Sequence, residues 1–245
     1  MRVYKTPNPY FKKLFVISAS RISLCVLPVF LLIFYMWKIG YEDYLTGLVF
    51  AALLAGIIAA YAALSHSYRV LLSGYRGERK LYKIIKHIRW GGESAVFVNL
   101  PISYRKNRSE IDMLIVGERG VLIIEVKNHS GVIIGGESDG FWVQRRRFRG
   151  ERRRSEKKMI NPLIQLKRQR GILKSLLREN GLDLWVENLL FFSNPNVKLR
   201  LKIGKSGRAF SDRGELIKFI NGMKPVPSMT KAKCEMIIDI IRTMS

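Results

Sequence analysis

The sequence predicts an α/β fold with a mixed central sheet flanked by helices, preceded by two transmembrane helices, and three observations predict it. Two long apolar stretches fall within residues 14–64. A strand–turn–strand pattern runs from Glu110 to Lys127, with side chains alternating between faces at period two. Apolar residues at helical spacing recur on both sides of it, in 74–89, 161–181, 212–221 and 231–244. The formal charge of +24, from 43 Lys and Arg against 19 Asp and Glu, separates the chain from a typical near-neutral cytosolic enzyme. Such a balance favours polyanionic partners, either nucleic acid or the anionic inner leaflet of a membrane. A generally cation-rich solvated surface is the plainer alternative.

The stretch Tyr44 to Leu64 holds 21 residues without a charge. At about 1.5 Å per residue it spans the roughly 30 Å hydrocarbon core of a bilayer. Ile22 to Trp37 is shorter, at 16 residues, but continues backwards through Leu14 to Ser20 with Arg21 as the one interruption. It is expected to be a first span, kinked or stretched near Pro28. Residues 1–68 thus read as a membrane anchor with helices at about 14–37 and 44–64. Arg2, Lys5, Lys12 and Lys13 precede the first span, and Arg69, Arg76, Arg79 and Lys80 follow the second, whereas the connection sets Lys38 against Glu42 and Asp43. The positive-inside rule then places both termini and the following domain in the cytoplasm, with a short outside hairpin around Gly40. A cleaved signal peptide fits poorly, since no small-residue cleavage site precedes the second span. Cys25 and Cys234 indicate no disulfide framework, and no Cys/His cluster has zinc spacing. His66, His87 and His129 are scattered, although His129 lies two positions after Lys127 and could approach a bound phosphate.

Past the anchor, Gly74 to Arg89 predicts a helix with Leu81, Ile84, Ile85 and Ile88 on one stripe. Glu78 on its first turns has two readings, a charge complement near the helix N-terminus or a site residue. Ser94 to Leu100 predicts a strand. If Gly117 to Gly120 form a tight turn, the strands on either side pair so that Asp112 lies directly across from Glu125, with Lys127 on the same face. Directly opposed side chains have Cβ atoms about 4.5–5.5 Å apart, and like charges there destabilise a sheet. A divalent cation relieves the repulsion, because Mg²⁺ is commonly held by one or two carboxylates plus water and phosphate oxygens. A surface hairpin with solvated charges is the simpler alternative. However, Leu114, Val116, Val121 and Ile123 share the charged face, while Ile111, Met113, Ile115, Leu122, Ile124 and Val126 take the other. A sheet covered on both sides follows, and buried charges need partners or a metal.

Gly131 to Gly135 and Gly140 to Gln144 predict a further hairpin, running into a charged stretch from Arg145 to Lys158. Its nine basic residues are Arg145, Arg146, Arg147, Arg149, Arg152, Arg153, Arg154, Lys157 and Lys158, set against Glu151 and Glu156. Part of it reads as a solvated loop. The functional reading is a phosphate-tracking arm that binds nucleic acid by releasing counterions, with Trp142 and Phe148 available to stack on an unpaired base. Asn161-Pro162 opens a helix with Pro at a tolerated first-turn position, and the helix runs to about Asn180-Gly181 with Gln165, Gln169 and Ile172 at three- to four-residue spacing. Leu184 to Phe192 predicts a strand, Val197 to Ile203 a basic strand or hairpin, Asp212 to Asn221 a helix, and Lys231 to Met244 a final amphipathic helix, within a C-terminal segment 223–245.

Over roughly residues 73–222 these features resemble the nuclease-related domain, NERD, within the PD-(D/E)xK restriction-endonuclease-like superfamily. The resemblance rests on Gly77-Glu78, Glu110-Ile-Asp112, Glu125-Val-Lys127-Asn128, Gly131, Trp142 and Asn161-Pro-Leu-Ile-Gln165, in that order. Ile111 stands where the superfamily has Pro before the Asp, which leaves the carboxylate in place. The resemblance implies an αβββαβ core, dependence on a divalent cation (Mg²⁺ or Mn²⁺) and DNA as substrate. On that footing Asp112 and Glu125 ligate the cation, with the Val126 backbone carbonyl as a third donor. Lys127 orients the attacking water or offsets charge on the phosphoryl oxygens, Glu78 helps hold a cation or align the nucleophile, and Gln165 is a positioning residue carried over from the family motif. Two other classes stay open: a catalytically silent nucleic-acid-binding module, and a scaffold docking on anionic lipid. Oligomeric state is unreadable from the sequence.

Overall fold

The computed structural model describes residues 1–6, 9–38, 44–88, 90–147, 154–204 and 207–243. The chain forms two compact units, Asn8–Tyr75 on the one hand and Met1–Pro7 with Arg76–Ser245 on the other. Arg149, Arg152, Arg153, Phe148, Arg89 and the connection around Gly40 lie outside the described residues.

The first unit is built from helices α1 (Pro9–Lys38) and most of α2 (Tyr44–Ile85). Both contain stretches long and apolar enough to cross a membrane, Tyr10–Tyr35 and Gly47–Ile85. Large apolar side chains such as Phe15, Phe30, Phe34, Leu53 and Ile58 are exposed along them, as lipid-facing residues would be. Arg21, the charge that interrupts the first apolar stretch, is held by α2. Its guanidinium lies 5.3 Å from the Tyr61 ring centre and 4.7 Å from that of Tyr68, and it donates to the Tyr61 hydroxyl at 3.3 Å. Cation–π attraction of this kind strengthens on desolvation.

The second unit has a six-stranded sheet in the order β1-β2-β3-β4-β8-β10, formed by β1 (Arg2–Lys5), β2 (Ala95–Tyr104), β3 (Asn107–Gly117), β4 (Gly120–Lys127), β8 (Val186–Phe192) and β10 (Ala209–Phe210). The β2-β3-β4 meander is antiparallel, and β8 joins β4 in parallel after helix α3 (Pro162–Glu179). With the C-terminal turns of α2 ahead of it, this is the mixed, helix-flanked core that the sequence predicts. Between β4 and α3 the chain adds β5 (Gly131–Gly136), β6 (Phe141–Arg147) and β7 (Arg154–Ile160), which with β9 (Val197–Lys202) make a second sheet in the order β7-β6-β5-β9. Part of the basic stretch is therefore a strand instead of a loop, since β7 can pair with β6 from Phe141 opposite Ile160 onwards.

Each face of the main sheet buries its own apolar cluster. One contains Leu114, Val116, Val121 and Ile123 with Leu166 and Leu173 of α3, Ile237 and Ile241 of α5 (Lys231–Thr243), and Ile133 and Trp142 of the second sheet. The other contains Met113, Ile115, Leu122 and Ile124 with Leu81, Ile84 and Ile85 of α2 and Leu216 and Ile220 of α4 (Arg213–Gly222). Coverage on both sides explains why β4 is almost wholly apolar. The predicted helix 74–89 is the last part of α2 as far as Ile85, with Lys86 to Ile88 outside it, and it forms one helix with the preceding span.

Strand β1 has no counterpart among the sequence-based expectations. It pairs in parallel with β2 from Arg2 opposite Ala95 to Lys5 opposite Val98. Arg2 forms an ion pair with Glu93 at 2.9 Å, and Tyr4 stacks on Phe97 with ring centres 4.9 Å apart. Four residues are too few to show a strand period, and tertiary pairing alone fixes them. Stacked aromatic pairs contribute about 0.5–1.5 kcal/mol beyond area burial, so Tyr4→Ala is expected to lower the unfolding temperature by several degrees. Thermal unfolding of the full chain checks this, and an unchanged transition would mean that β1 is dispensable.

Candidate active site

The β3–β4 hairpin has the register read from the sequence, with Gly117 opposite Gly120 and Met113 opposite Ile124. The next rung does not form. Asp112 and Glu125 are not ladder partners; instead the Val126 N–H donates to Asp112 Oδ2 at 2.7 Å. The pairing of β2 with β3 is interrupted at the same place, between Val98 opposite Met113 and Leu100 opposite Ile111. Asn99, which lies across from Asp112 at that gap, has φ 55°, a left-handed conformation that costs energy for any residue but Gly. The phase of alternation changes there. Val98 and Met113 pack in one apolar cluster, whereas Leu100 and Ile111 pack in the other. Ile111 therefore does not share the face of Met113, as strict alternation predicts. Opening the sheet leaves a fork into which polar side chains can converge.

Glu125 stands in the fork with 1 % exposure. Lys127 Nζ donates to its Oε1 at 2.5 Å and to Gln165 Oε1 at 3.0 Å. Gln169, one turn further along α3, donates from Nε2 to Glu125 Oε2 at 2.7 Å and to the Glu110 carbonyl at 2.7 Å. Gln165 thus acts on Lys127, and Gln169, fully buried, fixes the carboxylate itself. The spacing of Gln165 and Gln169 was the available signal for the second of these, since side chains four apart share a helix face. Burial and the neighbouring Glu125 charge push Asp112 well above the usual carboxylate range; the Val126 N–H and Lys127 oppose this, and Glu78 adds to it. The helix bearing Glu78 comes close because Gly77 precedes it. A Cβ on Gly77 would lie 3.1 Å from both Asn128 Cβ and Ser193 Oγ. Glu78 itself is buried.

Among the described residues no group of three or more His, Cys, Asp and Glu side chains is arranged as a metal cage. Mg²⁺ does not require one, since it retains several waters and takes one or two carboxylates. The donor set fits that demand. Asp112 and Glu125 supply hard oxygens, each Glu125 oxygen keeps lone pairs beyond its one hydrogen bond, and their mutual repulsion is of the kind a cation relieves. The Val126 N–H points toward Asp112, and the N–H and C=O of a strand residue point to the same edge, so the Val126 carbonyl also faces the fork.

Residues 73–193 match the family model of the nuclease-related domain, NERD. This segment is a nuclease-related domain. No curated protein and no solved structure matches the chain. Inside the nuclease-related domain, the residues that carried the resemblance divide into two groups. Asp112, Glu125, Lys127 and Gln165 meet at the fork, and Glu78 acts on Asp112 through its charge. Others shape the scaffold: Gly131 has φ +84° and a Cβ there would lie 2.3 Å from the Arg145 carbonyl oxygen, and buried Trp142 donates from Nε1 to the Gly136 carbonyl at 2.8 Å.

The basic residues are dispersed over the second sheet. Arg145 pairs with Glu156 at 2.6 Å, and Arg147 and Arg154 form the last described rung of β6 with β7. Burial, with the charges of Lys127, Arg146 and Lys157, lowers His129 from 6.5 to about 4. Its imidazole thus reports the positive field beside Lys127. A folded-state pKa below the unfolded one means that the unfolded chain binds more protons, so stability is lost as pH falls from about 6.5 towards 4. His129→Asn should flatten that acid limb in melts recorded across this range, and an identical pH profile for both proteins would contradict the assignment.

Proposed function

We propose that this chain is a membrane-anchored, metal-dependent nuclease that hydrolyses phosphodiester bonds of nucleic acid, DNA foremost, on the cytoplasmic side. The observation that carries the reading is the convergence of Asp112, Glu125, Lys127 and Gln165 on one broken sheet rung inside a nuclease-related domain.

In this reading Asp112, Glu125 and the Val126 carbonyl hold Mg²⁺ or Mn²⁺. When bound, the cation polarises the scissile phosphate and lowers the pKa of a water. Glu125 is kept in one rotamer by Lys127 and Gln169, so little reorganisation accompanies binding. Lys127, steered by Gln165, offsets charge that builds on the phosphoryl oxygens. Glu78 raises the negative potential at Asp112 and so favours a cation there. The basic residues Arg145, Arg146, Lys157 and Lys158, with Arg147, Arg149, Arg152, Arg153 and Arg154, attract the phosphate backbone.

The membrane assignment takes residues 1–68 as the anchor, apart from the strand at its start, and 223–245 as an appended helical segment. Two observations support a hairpin that crosses twice. Strand β1 precedes α1 and pairs with β2, which follows α2, so both ends of the helical pair lead into one sheet. An even number of crossings satisfies that connection. The flanking Lys and Arg residues then favour the cytoplasm for that side.

A silent module that binds nucleic acid or anionic lipid on the same fold is the second reading, favoured by the +24 charge, which exceeds what one catalytic centre uses. The purified full chain in nanodiscs, offered linear, circular and single-stranded DNA with Mg²⁺, Mn²⁺ or EDTA, separates the two. Cleavage with either cation and none in EDTA is expected. Retained binding without cleavage under every condition favours the silent module.

A further inference from the structure

We propose that the outer face of the second sheet is a platform for single-stranded nucleic acid, holding the strand beside the fork. The inference deepens the nucleic-acid reading above but does not depend on cleavage.

Cross-strand partners share a face, and the register therefore defines the platform. Val132 opposes Arg145 and Lys198, Ile134 opposes Val143 and Arg200, and Gly136 opposes Lys202. On the far side of β6, Phe141 opposes Ile160, Val143 opposes Lys158 and Arg145 opposes Glu156. The other face, with Ile133, Trp142, Leu199 and Leu201, packs on the main core. None of Val132, Ile134, Phe141, Val143 or Ile160 joins either apolar cluster, and Phe141 and Ile160 are 61 % and 67 % exposed.

An apolar floor thus lies between a cationic margin and a mixed one. Lys198, Arg200 and Lys202, all exposed, line the β9 edge, whereas the β7 edge carries Lys158 beside Glu156, which pairs with Arg145 of the inner strand β6 at 2.6 Å. Alternate residues of a strand are about 6.6–6.8 Å apart, a spacing suited to successive phosphates of an extended nucleic-acid strand. Between the margins Gly131, Asn196, Arg145, Arg146, Lys198 and Arg200 bound a cavity of about 500 Å³. A duplex would offer this surface only its phosphates and leave the floor unused. An unpaired strand can lay bases on Phe141 and the aliphatic residues while its phosphates meet the margins, the combination that single-strand binding surfaces use. The platform starts beside the fork, because Gly131, at the start of β5, follows Lys127 by four residues, and its N–H donates to the Asn196 carbonyl next to β9 at 2.8 Å.

The sequence-based nucleic-acid set stopped at Lys158. The β9 cations were legible there as a basic strand, but nothing in their spacing showed that the register would set them beside Arg145.

The test is fluorescence anisotropy of a labelled oligothymidine and of a duplex of equal length, with the full chain in phosphatidylcholine nanodiscs and EDTA. Phe141→Ala should weaken oligothymidine binding about tenfold, the loss of roughly one stacked base. Lys198→Ala/Arg200→Ala should reduce the slope of log affinity against log salt by about 1.4, two phosphates at about 0.7 each. Lys218→Ala, an exposed cation on α4, should change neither, and the melting temperature of each variant should match wild type. Preference for the duplex, with indifference to Phe141→Ala, would overturn the proposal. So would unchanged oligothymidine binding in the β9 variant while its capture by phosphatidylserine-rich vesicles is lost, an outcome that assigns the face to anionic lipid. Failure to cut DNA leaves these binding results intact.

Discussion

Replacing Glu125 or Lys127 by Ala is expected to cut metal-dependent cleavage by at least about a hundredfold, the scale on which single electrostatic groups act in a preorganised site. The two losses arise differently. Glu125→Ala removes a proposed cation ligand and strands Gln169, whose Nε2 spends one of its hydrogen bonds on that carboxylate. Lys127→Ala removes the partner of a carboxylate that is 1 % exposed, so a buried charge is left uncompensated. Breaking such a pair is costly in itself, and Lys127→Met, which retains the stem, separates the loss of charge from the loss of packing. Oligonucleotide affinity in EDTA should stay within a few-fold of wild type for Glu125→Ala. Cleavage surviving in either Ala variant would remove these residues from the chemistry.

The largest effect on stability is expected at Asn161. Its Nδ2 donates to the carbonyls of Asp139 at 2.7 Å, Glu137 at 3.1 Å and Gly136 at 3.3 Å, while Oδ1 accepts from the Leu163 N–H at 2.9 Å as the cap of α3. One fully buried side chain therefore joins the β5–β6 turn to the helix that carries Gln165 and Gln169. Loss of an N-cap costs about 1 kcal/mol, and orphaned buried acceptors about 1–3 kcal/mol more. Asn161→Ala should thus destabilise by about 2–4 kcal/mol, which for a domain of this size lowers the melting temperature by roughly 4–16 °C. Denaturant unfolding of the full chain measures it. A shift below about 0.5 kcal/mol would show that the turn and the helix hold together without this residue. The Asn-Pro pair, read from the sequence as a helix start, has this second task because the turn it bonds lies more than twenty residues earlier in the chain.

Local and periodic features were legible: the two apolar helices, the Gly117–Gly120 turn, the α3 start and the two apolar faces of the hairpin all follow from patterns within a short window. Non-local pairing was not. Strand β1 is held by β2, more than ninety residues away, and β10 by β8, so neither has a signal of its own. Strict alternation also could not anticipate the break at Asn99 and Asp112, because a change of phase needs only one residue at positive φ and leaves the pattern of apolar residues intact on either side. That break is what makes the site. Had the rung closed as the register implies, the Val126 N–H would be spent on the ladder instead of on Asp112. Sequence placed Asp112, Glu125 and Lys127 on one face; the opened rung and Gln169 turn that proximity into a preorganised cluster.

The most direct measurement pairs cation binding with nicking. Mn²⁺ is titrated into wild type, Asp112→Asn and Glu125→Gln while bound Mn²⁺ is followed by electron paramagnetic resonance and nicking of supercoiled plasmid is followed in the same samples. Asp112→Asn keeps an acceptor for the Val126 N–H while removing the charge and one of the two oxygens. Wild type should bind Mn²⁺ and nick with the same half-saturating concentration, and both variants should lose the two together. Nicking that persists in the variants, or Mn²⁺ bound at these carboxylates without any nicking, would contradict the assignment of this fork as a metal-dependent nuclease centre.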